Sequence, residues 1–157
     1  MAYHDLREFL SQLEERNELA RVKVEVDPEY EVGAIMRRVF DQRGKAILFE
    51  NVKGHKIPLV SGALDTERRY GMAIGSNPEM RAILHKALEA AQNPIAPILV
   101  DSAPCQEVVL GPNELDVRIL PAPRWHHLDP GRFVGTLGVV FLKDPETGTK
   151  KIGRAHV

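Results

Sequence analysis

The sequence predicts an α+β protein in two unequal parts, an N-terminal α/β layer domain over residues 1–93 and an unfinished β-rich segment over residues 94–151. Three observations carry that reading. Apolar residues recur at helical spacing in three places before residue 93, and short apolar runs lie between them. After Gln92, prolines crowd the chain at 94, 97, 104, 112, 121 and 123, fixing φ and removing donors, so that extended connections replace helices. Helices and strands mixed in this order suggest a sheet covered by helices on one side.

Each element has its own justification. Leu6, Phe9, Leu10 and Leu13 stand at i, i+3, i+4 and i+7, lining one side of a helix expected to end near Asn17. Asp5 and Glu8 have capping-box spacing, each carboxylate able to accept the other's free backbone N–H. Ala20, Val22, Val24 and Val26 then alternate with Arg21, Lys23 and Glu25, the pattern of a strand with one wet face. Asp27-Pro28-Glu29 reads as N-cap, first helical residue and first-turn acid. The helix it opens is expected to bury Val32, Ile35, Met36, Val39 and Phe40 and to stop before Gly44. Ala46-Ile47-Leu48-Phe49 is a short apolar strand, Asn51-Val52-Lys53-Gly54 a turn, and residues 57–60 a return strand that Pro58 confines to an edge or a bulge. Residues 66–74 make a short helix ended by Gly75. Asn77-Pro78-Glu79 opens the clearest helix, with Met80, Ile83, Leu84, Ala87, Leu88 and Ala91 on one face. Core packing accounts for all these stripes, and nothing in the first part demands chemistry.

The second part reads differently. Leu115, Val117 and Ile119 alternate with Asp116 and Arg118, predicting a strand. Residues 133–142 form a long β-branched strand holding Gly135 and Gly138, where the missing side chains admit a ligand or a second backbone. Asp144-Pro145-Glu146-Thr147-Gly148 carries a hairpin signature, Pro at the second position of a type I turn and Gly closing a bulge, so a return strand begins at Thr149.

Composition narrows the function classes. The 157 residues are 43% hydrophobic and 27% charged, a globular balance, and 21 Lys plus Arg against 22 Asp plus Glu leave a net charge of −1. No positive excess is available for phosphate backbones or anionic lipid, which argues against nucleic-acid and membrane partners. The lone Cys105 builds no disulfide framework and fits a reducing, cytoplasmic setting. Trp125-His126-His127-Leu128-Asp129 is the one cluster with metal-like composition. Adjacent histidines on an extended segment point to opposite sides, so loop packing is the preferred reading and no metal site is assigned. Phosphate-binding loops, nucleophile elbows and CxxC pairs are absent, and Ser61 and Ser102 have no base partner by spacing.

Several ordered motifs nevertheless resemble one family. Asp5-Leu6-Arg7-Glu8-Phe9-Leu10, Val26-Asp27-Pro28, Leu48-Phe49-Glu50-Asn51-Val52-Lys53-Gly54 and Thr66-Glu67-Arg68-Arg69 leading to Gly75 occur in the first part. Leu120-Pro121-Ala122-Pro123-Arg124-Trp125-His126, Asp129-Pro130-Gly131-Arg132-Phe133 and Lys143-Asp144-Pro145-Glu146-Thr147-Gly148 follow in the second. Together they resemble the UbiD family of decarboxylases, with Pro130-Gly131 standing where its members usually carry two glycines. The resemblance implies a carboxy-lyase performing reversible, non-oxidative decarboxylation of an aromatic or α,β-unsaturated carboxylic acid. A hydroxybenzoate of ubiquinone biosynthesis and a phenolic acid both fit. It implies prenylated FMN as cofactor, with a divalent metal such as manganese and often potassium. It also implies a homo-oligomer, and it makes the second part the truncated start of a flavin-binding split β-barrel. Losing CO2 leaves a carbanion-like centre whose electron sink only a cofactor offers, and a Glu–Arg–Glu set would complete the chemistry.

Thr136 matches the family's Thr on the first barrel strand and is the cofactor-binding residue the resemblance implies. Counting from Thr136 or from the hairpin turn puts the family's metal-ligating Asn at Lys151, a cation. Arg154 comes too early for the catalytic Arg, and a register shifted to rescue it puts Thr149 in the Asn slot and breaks the turn match. No catalytic residue and no metal ligand is therefore assigned within the chain. The remaining metal ligands and both catalytic Glu residues are expected beyond Val157, leaving the isolated chain inactive and without bound cofactor. The tail Ile152-Gly153-Arg154-Ala155-His156-Val157 departs from the family and equals one reading frame of a common short-read sequencing adapter. Native sequence is accordingly expected to end at Lys150, with residues 152–157 an artefact. A noncatalytic accessory subunit or a flavin-binding module is the alternative. An apolar strand at 133–142 with an open edge favours the fragment, because an intact module would close its barrel.

Overall fold

Helix α1 (Leu6–Glu15) starts where its cap dictates, the Asp5 carboxylate accepting the Glu8 N–H at 2.9 Å. The Glu8 carboxylate reaches past Asp5 to the His4 N–H at 2.7 Å, so the capping box closes one residue further out than expected. The computed structural model that shows this describes residues 3–96, 98–134 and 140–153.

Strand β1 (Leu19–Val22) pairs in parallel with β2 (Ala46–Phe49), and β2 pairs antiparallel with β3 (Leu59–Ser61), giving the order β1-β2-β3. β1 is shorter than its alternation predicts. Its ladder runs from Leu19 opposite Ala46 to Val22 opposite Phe49 and ends with β2, so Val24 turns to solvent at 74% exposure. Val26 regains one parallel bridge, to Val52. Helix α2 (Glu31–Asp41) connects the parallel pair. It begins later than Asp27-Pro28-Glu29 suggests, because the Asp27 carboxylate spends itself on a turn. That carboxylate accepts the Glu29 N–H at 2.8 Å and pairs with Lys53 at 2.7 Å. Phe40, expected in the core, is 42% exposed at the end of α2.

Strand β2 is central and buried on both faces, so the layer is covered on two sides rather than one. Ile47 and Phe49 join Val32 and Met36 of α2, while Ala46 joins Phe9 and Leu13 of α1 on the other face. Helix α3 (Glu67–Ile74) is closed by Thr66, whose hydroxyl accepts the Arg69 N–H, and by Gly75 at φ 68°. Arg69 is 1% exposed; its guanidinium donates to Glu18, Asp65 and the Gly62 carbonyl, tying α3 to the start of β1. Helix α4 (Met80–Gln92) packs only Ile83, leaving Met80, Leu84 and Leu88 of its apolar stripe exposed.

Beyond α4 the described backbone is irregular apart from two single 3-10 turns, Pro104–Gln106 and Val117–Ile119, and a two-stranded hairpin. The strand expected through Leu115, Val117 and Ile119 is not formed. Its Asp116 carboxylate instead accepts the Arg118 N–H at 2.9 Å and starts a tight turn, a local bond that wins where no ladder partner stands alongside. The hairpin comprises β4 (Val140–Lys143) and β5 (Lys150–Gly153), with Lys143 opposite Lys150. Gly148 sits at φ 70°, and the Asp144 carboxylate accepts the Glu146 and Thr147 N–H groups, as the turn signature requires. Of the strand expected over 133–142, the part from Val140 is formed as β4. Phe133 and Val134 lie outside any strand, while Gly135, Thr136 and Gly138 lie outside the described residues.

Candidate apolar groove and anchored loop

Residues 120–134 return to the first layer and build the site. Pro121 and Pro123 carry no N–H, so this stretch lies on apolar surface without leaving donors unpaired, and Ala122 is buried there. Between these residues, α1, α3, the end of α2 and the β3–α3 connection runs a groove of about 990 Å³. Phe9, Phe40, Tyr70, Trp125 and Phe133 contribute aromatic surface to it. Asp65 is the sole charged residue among its described lining, and that carboxylate is engaged by Arg69. Such a groove takes up an apolar or aromatic surface; it offers no cation to a carboxylate or phosphate.

An ion cluster anchors the loop at its outer end. The Glu29 carboxylate receives Arg124 at 3.3 Å and Arg132 at 3.2 Å. The Arg124 guanidinium also donates to the Asp129 and His127 carbonyls and lies 5.4 Å from the Tyr30 ring centroid. Along the backbone, the Arg124 N–H donates to the Pro28 carbonyl at 3.0 Å and the Tyr30 N–H to the Arg124 carbonyl at 2.9 Å. Nearby, a hydrogen bond from the Lys53 ammonium holds the Asp27 carboxyl below the usual carboxylate range, with the Glu29 N–H adding to the effect.

Sequence-predicted positions distribute unevenly over this geometry. Trp125 packs against the core formed by α2 and β2. His126 and His127 edge a notch of about 380 Å³ beside Tyr30 and Arg37. The Asp129 carboxylate accepts the His126 N–H at 2.9 Å, which folds the histidine pair into a loop turn. No group of three His, Cys, Asp or Glu side chains able to hold a metal occurs among the described residues. With no cation in the groove and no ligand cluster, the described residues fit neither the phosphate of a flavin nor its metal. Lys151 falls on β5 opposite Leu142, Thr149 stands at the hairpin turn, and Thr136 and Arg154 lie outside the described residues. Sequence reasoning missed Glu29, Tyr30, Arg124 and Arg132. Charged residues inside a proline-rich apolar stretch were the available signal, since burial there calls for a partner.

Comparison with known proteins places this geometry. Residues 10–87 match the model of the 3-octaprenyl-4-hydroxybenzoate carboxy-lyase N-terminal domain of the UbiD family, and residues 98–156 match its Rift-related domain. An uncharacterized protein of Archaeoglobus fulgidus is 39% identical over 98% of this chain and 34% of its own length. The UbiD-class enzyme HmfF of Pelotomaculum thermopropionicum, solved as an evolved dimeric form with prFMN, superposes with a TM-score of 0.84 at 32% identity, over 96% of this chain and 34% of that one. The vanillic acid decarboxylase of Sedimentibacter hydroxybenzoicus, in its open form, superposes with a TM-score of 0.85 at 28% identity, over 98% of this chain and 35% of that one. The chain thus spans about a third of the length of these relatives.

Proposed function

The chain belongs to the UbiD family, and on that premise we propose that it is the N-terminal third of a carboxy-lyase. The reaction is reversible, non-oxidative decarboxylation of an aromatic or α,β-unsaturated carboxylic acid. One observation carries the reading: both family models match in order along the chain, and the same span superposes on an enzyme solved with prFMN. The likeness to a decarboxylase of vanillic acid supports an aromatic acid as substrate.

Prenylated FMN, when bound, supplies the electron sink for the carbon that loses CO2. The described residues contribute no acid, base or metal ligand to that chemistry. Their part is an apolar wall and a loop held at a fixed place, from which the chain continues toward Thr136. Thr136 lies beside the cofactor in this reading. The metal ligands, manganese or a similar ion with potassium, and the Glu–Arg–Glu set belong to the family's remaining length. In this reading the whole enzyme is a homo-oligomer, and the lone Cys105 fits the cytoplasm. No helix among the described residues is long and apolar enough to cross a membrane.

The test compares this chain with one carried to the length of its relatives. Both are loaded anaerobically with prenylated FMN and manganese and assayed for CO2 release from a panel of benzoic and cinnamic acids. The longer chain is expected to bind the flavin and turn over, the 157-residue chain to do neither. Turnover by the 157-residue chain would overturn the placement of the reacting groups, and a longer chain without flavin or turnover would overturn the reading altogether.

A further inference from the structure

Tyr30 has φ 70° and ψ −32°, and the Glu31 N–H donates to the Glu29 carbonyl at 2.9 Å across it. That is a three-residue turn of the rare, strained hand, at a residue with a bulky side chain. Such a conformation persists only where its surroundings hold it, and here the holder is the loop of residues 120–134. The Tyr30 N–H is taken by the Arg124 carbonyl, and the Tyr30 ring lies under the Arg124 guanidinium. Glu29, first residue of the turn, carries both Arg124 and Arg132. Gly33, one turn into α2, completes the seat, since a Cβ there would collide with the Trp125 carbonyl oxygen. Strain, charge and a missing side chain therefore converge on one contact between two parts of the chain.

We infer that Arg124 is a positioning residue, and that the Glu29–Tyr30 turn and Gly33 form the latch into which it locks. Arg124 spans the two ends of its own loop, through the Asp129 and His127 carbonyls, and ties them to the first layer through Glu29. The Phe133 N–H donates to the Pro123 carbonyl at 3.2 Å, so the exit of the loop is set by the same lock. What leaves there is the chain leading to Thr136. The latch thus fixes where that segment starts relative to the groove, an inference that rests on the UbiD reading given above.

Trp125 is the single tryptophan and sits beside the latch, so its emission reports docking directly. In the 157-residue chain, Arg124→Gln is expected to move that emission to longer wavelength. Amide exchange in residues 122–133 should quicken roughly tenfold or more, while the amides of Ala46–Phe49 keep their protection. Gly33→Ala should reproduce both changes without altering any charge. Arg124→Lys should fall between, because an ammonium cannot span Glu29 and two carbonyls at once. Wild-type emission and exchange in Arg124→Gln would overturn the latch.

The positioning role is read separately, in the chain carried to the length of its relatives. There Arg124→Gln should shift the absorption band of bound prenylated FMN and lower kcat with KM little changed. A loop that detaches while band and kcat stay put would overturn positioning and leave the family reading intact. A wild-type long chain that takes up no prenylated FMN would overturn the family reading, and positioning with it. The emission and exchange results on the shorter chain would still decide whether the latch exists.

Discussion

The first layer, residues 3–92, and the segment of residues 93–119 have similar shares of apolar residues and opposite fates. In the first, β2 is sandwiched between α2 and α1, and Leu13, Val32, Met36, Ala46 and Phe49 are completely buried. In the second, Ile95 is 93% and Leu99 99% exposed, and no sheet forms around them. Helices and short parallel strands satisfy themselves within a few tens of residues. An extended, proline-rich segment needs partners brought from elsewhere. The first layer buries its own apolar side chains, and those of the second segment stay largely exposed.

Substitutions should break this contrast in order of size. Phe49→Ala in the core should cost about 3–5 kcal/mol, whereas Leu99→Ala should move stability by less than about 0.5 kcal/mol, both read from urea unfolding followed by far-UV circular dichroism. Equal losses at the two positions would erase the distinction. Arg69→Ala should come next, at about 3 kcal/mol, because it leaves a void in the core, strips Asp65 of its cation and leaves Glu18 only the exposed Arg68. Thr66→Ala, which removes the α3 cap, should cost about 1 kcal/mol.

Acid should give the smallest effect. The carboxyls of Asp27 and Glu14 are lowered by hydrogen bonds from Lys53 and Arg21, and that of Asp5 by the Glu8 N–H. A lowered folded-state pKa contributes stability above the unfolded value, about 4, and loses it as pH falls through the folded value. Thermal midpoints should therefore be flat from neutral pH to about pH 5 and fall below about pH 4, with little added by Asp116 or Asp144 on exposed turns.

The contrast also explains what the sequence made legible. Periodicity located α1, α2 and α4, because each buries at least one residue of its apolar stripe. Capping signals worked at Asp5 and Gly75, where one side chain or one glycine decides the end, while Thr66, expected as the first residue of α3, is its cap. They misled at Asp27, whose carboxylate had two competing uses. Alternation failed at Val24 and at Leu115, Val117 and Ile119, because a strand is defined by its partner and no local pattern says where the partner stops. The hairpin at Asp144 was legible because its turn chemistry is contained in five residues. The latch was not, since Glu29 and Arg124 are separated by most of the first layer and only folding brings them together.

Carboxylate exchange tests the central claim most directly. A chain carried to the length of its relatives, loaded with prenylated FMN, is incubated with an accepted aromatic acid and isotopically labelled bicarbonate, and the label in the recovered acid is measured. Label should enter the carboxyl group with the longer chain and stay out with the 157-residue chain. Label incorporated by the 157-residue chain, or none incorporated by a flavin-loaded longer chain that binds the acid, would contradict the account.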